Sequence, residues 1–165
     1  QSLRSGEVRL VDYYEATGEG FPHYVRVLSE KREQGNYSYG KHYPPHDIAV
    51  QELGSGRSRL ETAASLGIRF QIVPNITVED GIHAARMLLP RCWFDATRTA
   101  AGLEALQHYR RDYNQRLNEF KATPVHDWAS HGADAFRYLA LALRPAKEKP
   151  KDEPRFIGSG VSPWR

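Results

Sequence analysis

Four polar side chains near the C-terminal end of the chain recur at intervals that match the turns of an α-helix. They are Asp127, His131, Asp134 and Tyr138, which follow one another at spacings of four, three and four residues. Side chains three and four positions apart share one helical face, so this spacing groups two carboxylates with an imidazole. Two structural roles remain open for the acids: Asp127 as the N-cap of the helix, and Asp134 as an acid that pairs with Arg137 or faces solvent.

A second candidate position is Asp47, which follows a Pro-Pro pair and His46 at the start of a short β-prone segment, residues 47–50. An acid at the end of a strand can point into the crevice where α/β sheets bind ligands. Asp47 and Asp134 would together suit Mg²⁺ or Mn²⁺, because these hard ions prefer carboxylate oxygens. The structural alternative for Asp47 is a loop acid that caps a turn.

Cationic side chains suited to a phosphate backbone occur in two places. Lys41 lies in a loop of interleaved basic and aromatic residues, a composition typical of nucleic-acid contacts and equally of a solvated loop. Arg57 and Arg59 lie beside a predicted helix start, where backbone N–H groups attract phosphate. The adjoining segment 54–58 lacks the lysine of a P-loop and does not follow a long strand, which favours an ordinary turn.

The elements that must position these residues alternate between β-prone and amphipathic helical segments, which predicts an α/β domain. Strands are predicted over residues 7–14, 47–50 and 70–73. Helices are predicted over residues 21–32, 59–66, 78–89, 97–120 and 128–143. Local signals support several boundaries, namely a capping box over residues 58–61, Thr77 as an N-cap and Pro90 as a stop.

Length and composition restrict the class of protein. The chain has 165 residues, of which 40% are hydrophobic and 26% charged, so we expect one globular domain without a membrane span. The single cysteine, Cys92, excludes an internal disulfide and a thiolate zinc site, which predicts a reducing, intracellular compartment. A net charge of +3 permits a polyanionic partner. The domain is expected over residues 1–144, followed by a proline-rich disordered tail over residues 145–165.

Residues 126–138, H-D-W-A-S-H-G-A-D-A-F-R-Y, closely resemble the end of the nuclease domain of tailed-phage terminase large subunits. That family carries a D-A-x-R-Y pattern on its final helix after an H-x-x-S-H approach. Residues 11–15 resemble its second strand, and His46-Asp47 with residues 58–61 is similar to its strand-end acid and the helix that follows. The resemblance covers about residues 6–144.

The resemblance implies a ribonuclease H-like fold, a mixed sheet flanked by helices, in which three carboxylates bind two divalent ions. Such ions lie roughly 3.5–4 Å apart, activate water and stabilise the leaving oxygen of a phosphodiester. By motif, Asp47 corresponds to the second acid and Asp134 to the third, with Mg²⁺ or Mn²⁺ as the cofactor. The first acid belongs to a strand before residue 7, so we expect this chain to lack the first strand. Asp12 is a weak substitute because it matches a position that binds no metal in the family.

The resemblance also implies supporting roles around these acids. His131 would orient Asp134 or contact the scissile phosphate, with a helix-surface histidine as the alternative. Asp127 is a further supporting candidate. The DNA contacts would come from three cations, Lys41, Arg57 and Arg59, which hold the backbone by charge with little sequence selectivity.

The function implied by the resemblance is endonucleolytic cleavage of concatemeric double-stranded DNA during viral genome packaging, in the host cytoplasm. The implied partners are double-stranded DNA, the ATPase domain of the full-length protein, the small terminase subunit and the portal. The chain begins without methionine, as a domain cut from a longer motor protein would. Two alternatives stay open: a non-catalytic DNA-binding or assembly module with the same fold, and another ribonuclease H-like enzyme such as a resolvase or integrase.

Overall fold

The computed structural model describes residues 6–51 and 56–144, and the predicted tail over 145–165 lies outside this range. Helices occur at Phe21–Gly35 (α1), Arg59–Ser65 (α2), Val78–Leu88 (α3), Ala100–His108 (α4) and Trp128–Ala142 (α5). Strands occur at Val8–Leu10 (β1), Cys92–Phe94 (β2), Arg111–Asn114 (β3) and Glu119–Pro124 (β4). Two 3₁₀ helices, His46–Ala49 and Leu89–Arg91, complete the described elements. The α/β class is therefore confirmed.

The strands of the described part form two separate two-stranded sheets rather than one larger mixed sheet. β1 and β2 run parallel, with Val8 opposite Cys92 and Leu10 opposite Phe94. β3 and β4 form an antiparallel hairpin in which Tyr113 lies opposite Phe120. None of the helices in this part of the chain has the length and apolar character needed to cross a membrane.

Helix boundaries that depend on local hydrogen bonds are confirmed. The Ser58 hydroxyl accepts a bond from the Glu61 N–H at 3.1 Å, and the Glu61 carboxylate accepts one from the Ser58 N–H at 2.8 Å. This reciprocal pair is the predicted capping box, and it starts α2. Thr77 caps α3 by accepting from the Asp80 N–H at 3.1 Å. Each of these bonds spans three residues, so the sequence suffices to predict it.

The prediction of a strand over residues 47–50 is wrong. The segment His46–Ala49 is a 3₁₀ helix in which the Ile48 N–H donates to the Pro45 carbonyl at 3.3 Å. This turn buries Ile48 and leaves Asp47 exposed. The Pro-Pro pair starts a tight turn whose backbone hydrogen bonds are formed within the turn itself. The β-prone composition of residues 47–50 does not indicate such a turn.

The prediction of one helix over residues 97–120 is also wrong. The chain leaves the helical path after α4 and returns as the β3–β4 hairpin. Asn114 accepts bonds from two N–H groups of the turn, and Asn118 adopts a left-handed φ of 53°. These asparagines make a tight reversal possible, because asparagine tolerates the left-handed region and bonds to nearby backbone. Tyr109, Tyr113 and Leu117 follow one another at intervals of four residues, which fits a helix, yet they lie after α4, in β3 and in the turn.

Two predicted strands are shorter than expected, and one strand was not predicted. Of residues 7–14 only Val8–Leu10 pairs in a sheet, and farther along the Tyr13 N–H donates to the Arg98 carbonyl at 3.1 Å. Of residues 70–73 only Phe70 forms a bridge, with His42. The unpredicted strand is β2, which supplies the partner of β1.

The core lies where α3 and α5 pack with β1. Its buried members are Val8, Val73, Ala84, Leu88, Phe136, Ala140 and Leu141. Glycines allow the helices to approach closely at two points. A Cβ on Gly132 of α5 would lie 2.8 Å from the Ala105 Cβ of α4, and a Cβ on Gly81 of α3 would lie 2.6 Å from the Arg137 Cδ. These contacts fix the orientation of α5, the helix that carries Asp134.

Candidate functional site

The structure brings the turn that carries Asp47 into contact with the helix that carries Asp134. The Nδ1 atom of His46 lies 3.2 Å from the Tyr138 hydroxyl oxygen, and the two rings are 6.4 Å apart. Asp47 follows His46 directly, and Tyr138 lies one helical turn beyond Asp134. Segments separated by about half of the chain therefore touch at His46 and Tyr138.

Asp134 is held by an arginine on its own helix. Its Oδ1 atom accepts a bond from the Nε of Arg137 at 3.0 Å, while its side chain remains 39% exposed. Arg137 is buried, and its guanidinium carbon lies 4.6 Å from the Tyr138 ring centroid. The stem of Arg137 occupies the space that a side chain at Gly81 would fill. This is the structural role for Asp134 that the sequence left open, and it leaves part of the carboxylate accessible to solvent.

Tyr109 is a further neighbour of Asp134 that the sequence did not identify as a site residue. Burial raises the pKa of its hydroxyl, and the negative charge of Asp134 raises that pKa further. The cation of Arg137 acts in the opposite direction. Tyr109 follows the last residue of α4 and precedes the β3 strand by two residues.

Asp127 has the capping role. Its Oδ1 accepts from the Ala129 N–H at 3.0 Å, and its Oδ2 accepts from the Arg110 guanidinium at 2.9 Å. His131 is exposed, and its ring packs edge-on against that of His126 at 5.6 Å. These contacts place Asp127 at the first turn of α5 and give His131 the helix-surface position weighed as its alternative.

The three predicted DNA-contacting cations are all exposed, and they lie on two segments of the chain. Lys41 precedes the bridge between His42 and Phe70. Arg57 precedes the capping box of α2, and Arg59 is the first residue of that helix. Arg59 also lines a groove of about 590 Å³ beside the start of α1.

The aromatic loop near Lys41 is largely packed against the protein. The ring of Tyr39 contacts those of Tyr37 and His42, and the guanidinium of Arg32 lies 5.5 Å from its centroid. Burial raises the pKa of Tyr39 and lowers that of His42. These aromatic side chains therefore pack the loop against the protein, so it is not the fully solvated loop that was the alternative to a nucleic-acid contact.

Asp12, the weak substitute for the first acid, is bound to a lysine. Its Oδ2 atom lies 2.5 Å from the Lys31 Nζ of α1, and both side chains are partly buried. Asp12 and Tyr13 also line an apolar cleft of about 180 Å³ between β1, α4 and α5. Neither Asp47 nor Asp134 lines this cleft.

Within residues 6–51 and 56–144, no group of three or more histidine, cysteine, aspartate or glutamate side chains is arranged to hold a metal ion. The carboxylates of Asp47 and Asp134 have the chemistry that Mg²⁺ and Mn²⁺ prefer. One oxygen of Asp134 is already bound by Arg137. The described residues therefore supply two suitable donors and do not by themselves complete a two-ion centre.

Gly81 and Tyr109 could not be predicted as site residues, because their roles depend on how the helices pack and no short sequence pattern indicates them. Arg137 was foreseen only as a pairing partner, and its burial comes from the space left by Gly81. Comparison of the chain with protein-family models, curated proteins and solved structures finds no match.

Proposed function

We propose that this chain is the endonuclease domain of a terminase-like DNA-packaging protein, with a ribonuclease H-like fold, that cleaves double-stranded DNA with Mg²⁺ or Mn²⁺. The contact between His46 and Tyr138 carries the proposal. The resemblance pairs the H-D motif at residues 46–47 with the D-A-x-R-Y motif of α5, and this hydrogen bond joins those same motifs. A chance likeness in two unrelated segments would not require them to touch.

In this proposal Asp47 and Asp134 are the metal ligands. When bound, the metal would activate water and stabilise charge on the phosphodiester. Arg137 holds one oxygen of Asp134 and leaves the other side of the carboxylate accessible. The resemblance implies one further carboxylate, the first acid of the family's pattern, on a strand that comes before β1 in that family.

The test is cleavage of supercoiled plasmid DNA with Mn²⁺, by this chain and by a chain extended at its N-terminus. We expect the extended chain to cleave, and Asp47→Asn and Asp134→Asn each to reduce the rate by at least about a hundredfold. Glu30→Gln is the matched control, since it removes an exposed carboxylate on α1 and should leave the rate unchanged. Cleavage that survives both aspartate substitutions would exclude them as ligands.

A second candidate function is a non-catalytic DNA-binding or assembly module with the same fold. It is favoured by the engagement of Asp134 with Arg137 and by the capping role of Asp127. Both acids then serve the stability of α5. Inactivity of both the given and the extended chain, together with retained binding of duplex DNA, would support this function over the nuclease.

A further inference from the structure

The β3–β4 hairpin exposes an aromatic pair that the described part of the protein leaves uncovered. Tyr113 and Phe120 face each other across the strands with ring centroids 5.0 Å apart, and they are 43% and 64% exposed. Leu117 in the turn is 63% exposed. Aromatic side chains are costly to leave in water, so a conspicuous exposed cluster of this kind points to a binding surface.

The hairpin is fixed at its base and organised at its tip. At the base, the Val125 N–H donates to the Arg110 carbonyl at 2.9 Å, and Arg111 pairs with Glu79 of α3 at 3.1 Å. At the tip, Asn114 accepts from the Arg116 and Leu117 N–H groups. An isolated two-stranded hairpin is only marginally stable, and these contacts give the aromatic pair a defined position.

Charge indicates the kind of partner. The hairpin, residues 111–124, carries three cations and two acids, and a fourth cation, Arg110, directly precedes it. Lys121 pairs with Asp112 at 2.6 Å, whereas the described residues offer Arg116 at the tip no ion-pair partner. The core of a protein–protein interface is depleted of charged residues, while a nucleic-acid surface combines cations with apolar or aromatic contacts. The hairpin has the second composition.

The hairpin also starts beside the candidate site. Arg110, the residue before β3, donates to the Asp127 Oδ2 atom at 2.9 Å, and Asp127 is the N-cap of α5, the helix that carries Asp134. A two-stranded β-ribbon has the width that the major groove of duplex DNA accepts. A duplex that lies along the hairpin would therefore lie near α5, the helix that carries Asp134.

We propose that the β3–β4 hairpin is a DNA-binding ribbon, with Arg116 on a phosphate and Tyr113 and Phe120 against sugars and base edges of a duplex. This inference extends the proposed function, because it names the surface that holds the substrate. It rests on the nuclease proposal only for the role of the bound duplex in cleavage.

The test is fluorescence anisotropy of a short labelled duplex of arbitrary sequence titrated with the full chain in EDTA. Arg116→Ala should weaken binding about threefold or more and reduce the slope of log K against log salt by about 0.9, the value for one lost phosphate contact. Phe120→Ala should weaken binding about threefold or more. Circular dichroism verifies that each variant is folded.

Two control variants remove similar groups elsewhere. Arg26→Ala deletes a cation of α1 that is 65% exposed, and Trp93→Ala deletes a β2 ring that is 63% exposed, like Phe120. Both should change the duplex Kd by less than about twofold. Equal losses in the controls, unchanged binding in the hairpin variants, or a Phe120-dependent self-association without duplex binding would each overturn the proposal.

The EDTA condition separates this inference from the nuclease proposal. Loss of binding in the hairpin variants, with no cleavage by any chain, would support the DNA-binding ribbon and contradict the nuclease proposal. Metal-dependent cleavage that requires Asp134 but is unaffected by Arg116→Ala and Phe120→Ala would support the nuclease proposal and contradict the DNA-binding ribbon.

Discussion

The imidazole of His46 and the hydroxyl of Tyr138 are joined by a hydrogen bond of 3.2 Å, across 92 residues of sequence. Tyr138 is also covered on one ring face by the guanidinium of Arg137, which in turn holds Asp134. The contact is thus one end of a chain of side chains that connects the turn bearing Asp47 to the carboxylate of Asp134.

We expect the His46–Tyr138 bond to be measurable as a coupling free energy. His46→Ala and Tyr138→Phe should together destabilise the protein by about 0.5–1 kcal/mol less than the sum of the single changes, because either change alone already breaks the bond. The measurement is a double-mutant cycle by urea denaturation. Additive effects would show that the two motifs do not interact in solution.

Gly81→Ala should destabilise the protein because the new Cβ would lie 2.6 Å from the Cδ of the buried Arg137. Overpacking of this kind costs about 1–3 kcal/mol, against a gain of about 1 kcal/mol from the better helix propensity of alanine. In an Arg137→Ala background the clash is absent, so the same change should be neutral or stabilising. Thermal denaturation of the four proteins measures this reversal, and a destabilisation of equal size in both backgrounds would contradict it.

Asp127→Ala should lower stability by about 0.5–2 kcal/mol, because it removes the cap on the Ala129 N–H at the start of α5. Asp127→Asn keeps an accepting oxygen and should cost only a few tenths of a kcal/mol. Chemical denaturation compares the two variants. If Asp127→Asn is as unstable as Asp127→Ala, the charge interaction with Arg110 dominates over the cap.

The capping box of α2 should make stability depend on pH in the acid range. Hydrogen bonds from the Ser58 N–H and hydroxyl hold the pKa of Glu61 below its ordinary value of 4.5. A lowered folded-state pKa means that the stabilisation is fully present above pH 4.5 and is lost as the pH falls through the lowered value.

We therefore expect the stability difference between the native protein and Glu61→Gln to be largest near neutral pH and to shrink on acidification. Denaturation midpoints across the acid range measure it. Glu30→Gln, which removes an exposed carboxylate on α1, is the control. A difference that stays constant down to the lowest pH would mean that the Glu61 charge does not contribute.

The sequence was most informative where a structural signal and its consequence lie within one turn. The boundaries of α2, α3 and α5 follow from Ser58, Thr77 and Asp127, whose side chains bond to N–H groups two or three residues away. The spacing of four residues likewise predicted that Asp134 and Tyr138 share a helical face. It also allowed the pairing of Asp134 with Arg137 to be foreseen as an alternative.

The sequence misled where two local patterns competed. The apolar spacing over residues 97–120 fits a helix, yet the chain turns back at Asn114 and Asn118, and Tyr113 pairs with Phe120. A helix over these residues would not place Tyr113 opposite Phe120, so the exposed aromatic pair could not be predicted from the sequence. Over residues 47–50 the β-prone composition was overridden by the turn that follows Pro45.

By itself the sequence determined the α/β class, the capped helices and the two aspartate motifs, because these depend on bonds and periodicities between near neighbours. Only the tertiary structure decided that His46 meets Tyr138, that Gly81 makes room for Arg137, and that β1 pairs with β2. Such contacts join residues far apart in the chain. They are selected by how whole helices and strands fit together, and no short segment of sequence records that fit.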